Sequence, residues 1–251
     1  MLRYSRKERR GRLDLRIGSL LNLIEVDSVT HVGAHLAEEA WEYEYFNLPV
    51  TWVEAIPELV SQVEKLGLPR NQKIIQRLFA EHAGQVQTLN MFGPGYALSS
   101  VLELRHPKLI SKKIDLTTSV LDELPSTDLL VVDVQGAELD VLKGGEFFLA
   151  HCKYLFIEVS LSDIYYDSTP TLTDIEKYLN SLGFVLNLKI LHGHNGLEGN
   201  CLFLNRELVS NFEKMKLECY QLFRSCLLKT RFLRSKLHRK FSKELSWIGI
   251  N

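Results

Sequence analysis

Two carboxylates, an amide and a glycine crowd into Asp133-Val134-Gln135-Gly136-Ala137-Glu138, directly after the apolar run Leu129–Val132. A turn that is only structural needs the glycine and one cap. Such polarity at the end of a buried strand points to ligand binding or proton transfer, because ligands of parallel α/β sheets sit at the strands' carboxyl ends. Glu158 lies inside a second apolar run, Phe156-Ile157-Glu158-Val159. A carboxylate there must be functional or paired, and a backbone donor or a lysine would serve as partner. A third group is Thr30-His31-Val32-Gly33-Ala34-His35, followed 21 residues after Gly33 by Glu54. A lone glycine lets backbone approach a ligand, and a helix start offers N–H groups to an anion such as a carboxylate. An acid ending the second strand suits ribose hydroxyls. An ordinary turn with a solvated glutamate has the same ingredients. One glycine in place of the three of G-x-G-x-x-G disfavours NAD and FAD, and no Walker lysine follows. His31 and His35 straddle a turn and His192 and His194 are two apart, so neither pair has the converging set a metal needs. No metal is expected.

These residues need strands to carry them. Ser28–Val32, Val50–Val53, Lys73–Phe79, Gln85–Phe92, Asp128–Val134 and Tyr154–Val159 read as strands. Val185–Ile190 and Asn200–Leu204 read as a closing hairpin. Helical spacing predicts helices over Ala34–Phe46, Pro57–Leu66 (opened by its proline), Glu138–Gly144, and Thr171–Leu182 capped by Thr171 or Thr173. Strands alternating with helices mean an α/β fold with a largely parallel sheet. Three parts follow: a basic N-terminal segment (1–23), a body (24–205) and a basic amphipathic helical tail (206–251).

The charge is segregated along the 251 residues although the net is only −1. Residues 1–16 hold seven basic and two acidic side chains, residues 17–205 hold 12 and 25, and residues 206–251 hold 11 and four. The tail places Leu208, Phe212, Met215, Cys219, Leu222 and Cys226 at steps of three and four, a seam like that of a short coiled coil. Self-association as a homo-oligomer, docking on an anionic membrane surface, or folding back on the acidic body would each cover it. Four cysteines without a Cys-x-x-Cys pair suggest reduced thiols. With no signal peptide and no long apolar run, the expected location is the cytoplasm, with peripheral membrane contact through the tail.

Read in order, HVGAHLAEEAWEY, WVEAIPE, YALSSVLEL, DLLVVDVQGAELDVLKGG and FIEVSLSDIYY resemble the FkbM family of S-adenosylmethionine-dependent methyltransferases, over roughly residues 28–204. The resemblance implies a Rossmann-like class I methyltransferase sheet, mostly parallel and seven-stranded, with the seventh strand antiparallel. Here it carries a C-terminal helical extension. It also implies methyl transfer to a hydroxyl of a sugar, glycan or related small metabolite. The turn from His31 through Gly33 and Ala34 to His35 then lies beside the methionine part of the cofactor. Glu54 meets the ribose, Ala80 borders the adenine, and Asp133 and Gln135 face cofactor and acceptor. Asp133 is the expected proton acceptor, with Glu138 and Glu158 positioning the acceptor. Methyltransferases commonly have an acid where His31 stands, Asn or Gly at His35 and glycine at Ala37. A non-catalytic binding or scaffold protein on the same fold is the alternative. Nucleic acid is not an expected partner, since the body is acidic and no aromatics interleave with the basic residues.

Overall fold

The computed structural model describes residues 17–103, 111–160, 169–192 and 198–223. The basic segment 1–16, the tail beyond 223 and the loop with His194 lie outside the described residues. The chain divides into two compact units, Met1–Val209 and Ser210–Asn251.

In the first unit, β1 (Val29–Val32), β2 (Val50–Glu54), β3 (Gln72–Gln76), β7 (Leu129–Val132), β8 (Tyr154–Ser160), β9 (Phe184–His192) and β10 (Glu198–Asn205) form one sheet. Its order is β3-β2-β1-β7-β8-β10-β9. β1 pairs in parallel with both β2 and β7, Val29 opposite Val50 and Leu129, and β7 pairs in parallel with β8. β10 is antiparallel to both its neighbours, β8 and β9. This is the seven-stranded, mostly parallel Rossmann-like class I methyltransferase sheet that the resemblance implies. The four residues of β7 are buried, as a strand covered on both faces requires. Helices α2 (Ala40–Tyr45), α3 (Pro57–Leu66), α4 (Glu138–Lys143), α5 (Glu146–Ala150) and α6 (Leu172–Ser181) follow β1, β2, β7 and β8, while α1 (Ile17–Leu21) precedes the sheet. Val32, Val132, Ile157 and Phe203 join Leu142, Phe148 and Leu179 in the main core. Thr171 caps α6, accepting from the Asp174 N–H while the Asp174 carboxylate accepts from Thr171 N–H.

Three local expectations change. The helix after β1 begins at Ala40, not Ala34, because His35 and Ala37 are left-handed (φ 47° and 53°) and hold residues 34–39 in turns. The third strand splits at Arg77, whose N–H turns back to the Glu54 carbonyl. β4 (Leu78–Phe79) then leaves the main sheet and pairs with β6 (Lys112–Ser119). The sequence reading did not assign β6, which pairs antiparallel with β5 (Val86–Met91) to complete a small three-stranded sheet.

In the second unit residues 211–223 are helical, with Phe212, Met215, Cys219 and Leu222 exposed. Among the described residues no helix is long and apolar enough to cross a membrane.

Candidate active site

The strand order reverses between β1 and β7, and there, at their carboxyl ends, lies a cleft of about 410 Å³. Its walls are the turn after β1, the end of β2, Arg77-Leu78-Phe79, the 96–101 segment and the turn after β7.

Gly33 begins the first turn at φ 89°. A Cβ there would lie 1.8 Å from the Asp133 carbonyl oxygen, so the glycine is required for the two turns to pass each other. The expected array of free N–H groups does not form. Gly33 and Ala34 both donate to the Val53 carbonyl, His35 donates to Glu54 Oε2 (2.8 Å), and Ala37 donates to the Ala34 carbonyl. Positions 33, 35 and 37 are all at positive φ, so the left-handed turns persist with histidine and alanine at two of them.

The two histidines behave oppositely. His31 is buried, stacked on Trp52 (4.5 Å between centroids), with Nδ1 3.0 Å from the Tyr43 hydroxyl. Burial pushes its pKa down to about 3, so the ring is neutral. His35 has acceptors on both nitrogens: Glu38 Oε1 at 2.8 Å from Nδ1 and the Gly95 carbonyl at 3.0 Å from Nε2. Only the imidazolium donates from both. The Glu38 hydrogen bond raises its pKa against the effect of burial. With both N–H groups engaged, His35 clasps the 93–96 segment and is not free to meet a ligand carboxylate.

Glu54 ends β2 nearly buried, its oxygens accepting from the N–H groups of His35 and Ile56 (2.8 and 2.9 Å). Burial raises its pKa. A third backbone hydrogen bond comes from Ala55; a carboxylate has about four lone-pair sites, which leaves room for a hydroxyl in the cleft. Ala80 is not on the wall. Its N–H donates to the Ser119 carbonyl and its own carbonyl abuts Gly144, while Arg77, Leu78 and Phe79 of the same segment line the cleft.

The turn after β7 gathers its polar groups. Gln135, left-handed at φ 56°, sends Nε2 to Asp133 Oδ1 (2.7 Å) and to Glu158 Oε2 (3.0 Å). Burial, then the neighbouring Glu158 charge and hydrogen bond, drives the Asp133 carboxyl well above its usual range. Two carboxyls so close oppose each other's ionisation, which raises the affinity of the pair for a proton. Asp133 and Gln135 line the cleft, and Glu158 stands behind them on β8. Glu138 does not reach that cluster through a hydrogen bond. Its Oε1 accepts from Val134 and Gly136 N–H (3.2 and 3.0 Å), bracing the turn, and burial raises its pKa to about 7. Ser100 Oγ donates to the Gln135 carbonyl (2.7 Å), fixing the turn from the other side. Among the described residues no three His, Cys, Asp or Glu side chains gather as a metal site.

Sequence reasoning missed Glu38, Glu39, Arg77, Tyr96 and Ser99, all on the cleft wall. The adjacent acids of HLAEEA, directly after the glycine turn, were the available signal.

The cleft suits S-adenosylmethionine on its donor set and shape. Its volume falls in the range of small-molecule sites, about 300–1,000 Å³. Val53, Ile56, Leu78, Phe79 and Leu89 offer an apolar wall for a flat base, and Glu54 offers acceptors for a ribose. Fold and cleft together define a Rossmann-like methyltransferase.

The methyltransferase FkbM domain matches residues 31–186, and the chain belongs to that family. It is an S-adenosylmethionine-dependent methyltransferase, and S-adenosylmethionine is its cofactor. No curated protein matches the sequence. The chain is similar to the solved structure of magnesium protoporphyrin IX methyltransferase from Synechocystis PCC 6803 with bound SAH, at 10% identity and TM-score 0.48, over 75% of this chain and 80% of that one. It is also similar to the ribosomal protein L11 methylase of Lactobacillus delbrueckii subsp. bulgaricus, at 14% identity and TM-score 0.46, over 76% and 75%.

Proposed function

We propose that the protein methylates a hydroxyl of a sugar, glycan or related small metabolite. The observation that carries this reading is the Asp133–Gln135–Glu158 cluster at the cleft wall. A hydroxyl must lose its proton as it is methylated, and a positioned base is most effective when its pKa is near the working pH. Asp133 is raised in that direction by burial and by Glu158. Its carboxylate takes the hydroxyl proton, Glu158 shares it, and Gln135 holds both carboxyls in place. Carboxylates and amides are also the groups that grip the hydroxyls of a sugar ring. The bound cofactor supplies an electrophilic methyl group on a sulfonium. Glu54 would hold its ribose and the Val53–Phe79 wall its base, leaving Asp133 at the open side. Holding the oxygen in line with the methyl carbon supplies much of the rate.

The test is transfer of labelled methyl to a panel of sugars and glycans, with the product's bond identified. Recovery as base-stable methyl ether is expected, and recovery only as ester or N-methyl product overturns the reading. Asp133→Asn should lower kcat by about 10²–10⁴-fold, the usual worth of a positioned base. An unchanged kcat removes Asp133 from that role.

The tail supports a second element of this reading. A net +7 over residues 206–251 and the exposed Phe212, Met215 and Leu222 suit self-association or contact with an anionic membrane surface from the cytoplasmic side.

A further inference from the structure

We propose that Glu39 is the carboxylate that binds the α-ammonium group of the cofactor, an inference that rests on the cleft being the cofactor site. The methionine end of that cofactor carries an α-ammonium group, charged at neutral pH, whose N–H donors a site of low dielectric must answer with an acceptor. His31 does not answer it, being neutral and engaged with Trp52 and Tyr43.

The carboxylates of the cleft differ in what already occupies them. Glu38 holds the His35 imidazolium and a hydrogen bond from Leu36 N–H. Glu54 accepts from the backbone N–H groups of His35, Ile56 and Ala55, and is the residue proposed above to hold the ribose. Asp133 is held by Gln135 and Glu158. Glu39 also lines the cleft, and among the described residues its carboxylate takes a hydrogen bond only from its own N–H. Burial raises its pKa to about 6; the nearby charges of Glu38 and Glu42 push the same way, and its own N–H and the His35 charge only partly oppose them. A partly desolvated anion beside like charges is relieved by a cation, and an ammonium is a compact one with three donors. Its place agrees, because Glu39 closes the turn that starts at Gly33, the stretch implied to flank the methionine part.

Calorimetry on the full chain tests this with two stable ligands, S-adenosylhomocysteine and its analogue lacking the α-amino group. Glu39→Gln should weaken S-adenosylhomocysteine about 10- to 100-fold, the scale of a hydrogen bond to a charged group. It should leave the deaminated analogue unchanged, and Glu39→Asp should recover part of the loss. Equal affinity of wild type and Glu39→Gln for S-adenosylhomocysteine overturns the assignment. An equal loss for both ligands also overturns it, since Glu39 would then act through the shape of the loop. If wild type binds neither ligand, the cofactor reading of the cleft itself falls. Circular dichroism confirms that each variant is folded. Should Glu39→Gln not fold, the Glu39→Asp and deaminated-ligand comparison decides alone, with equal losses overturning the assignment.

Discussion

Burial at the turn after β7 ties Glu138 to pH-dependent stability. An unfolded glutamate releases its proton near 4.5, whereas Glu138 holds its proton up to about 7. Between those values the folded state binds more protons than the unfolded one, so stability falls as pH rises. The shift corresponds to about 3 kcal/mol across the window. His31 acts with the opposite sign: neutral down to about pH 3 in the fold, it lowers stability as pH drops below 6.5. Glu138→Gln keeps a carbonyl for the Val134 and Gly136 N–H groups and has nothing to ionise. Urea unfolding from pH 4.5 to 8 should show the variant gaining on wild type by about 1–3 kcal/mol as pH rises. A constant difference between the two proteins would show that Glu138 ionises normally. Gly33 permits a second residue-scale prediction. With φ at 89° and a Cβ bound to strike the Asp133 carbonyl, Gly33→Ala should lose about 3 kcal/mol or more in the same experiment. A loss under 1 kcal/mol would mean that the two turns separate easily.

Elements differ in how openly the sequence declares them. β7 and β8 are contiguous apolar runs, and α3 opens on Pro57, so each is legible from local residue types. The Thr171 cap is legible for the same reason, its partner Asp174 lying within the first turn. Thr171→Ala should cost about 1 kcal/mol, measured by thermal or urea unfolding, and no change would mean that packing alone holds α6. By contrast β6 alternates Ile114, Leu116 and Thr118 with exposed Lys113, Asp115 and Thr117, a weak pattern made a strand by distant pairing with β5. The first turn was harder still. Left-handed His35 and Ala37 are not what either residue prefers, and His35 is held by contacts from afar: Glu54 at its N–H and Gly95 at its ring. The Asp133 turn was legible as a site because its polarity has no structural excuse. Its geometry was not, since Gln135 bridges to a carboxylate on the next strand.

For the whole molecule, the second unit is the part whose role is open to direct measurement. Light scattering should give a larger assembly for the full chain than for one ending at Val209, or else the full chain alone should bind anionic liposomes. A shortened chain that matches the full one in both measurements removes the tail from any interaction role. The first unit carries a constraint of a different kind, set by the order in which it is synthesised. β10 is the last strand of the main sheet, yet it inserts between β8 and β9. Until it emerges, Tyr154–Ser160 pairs with β7 alone and presents an open, apolar edge to the crowded surroundings of a nascent chain. At about 5–20 residues per second, translation needs roughly two to nine seconds to pass from Ser160 to Asn205. For that interval the growing protein is a sheet with an unclosed seam, and YLFIEVS is where a holding chaperone has most to grip.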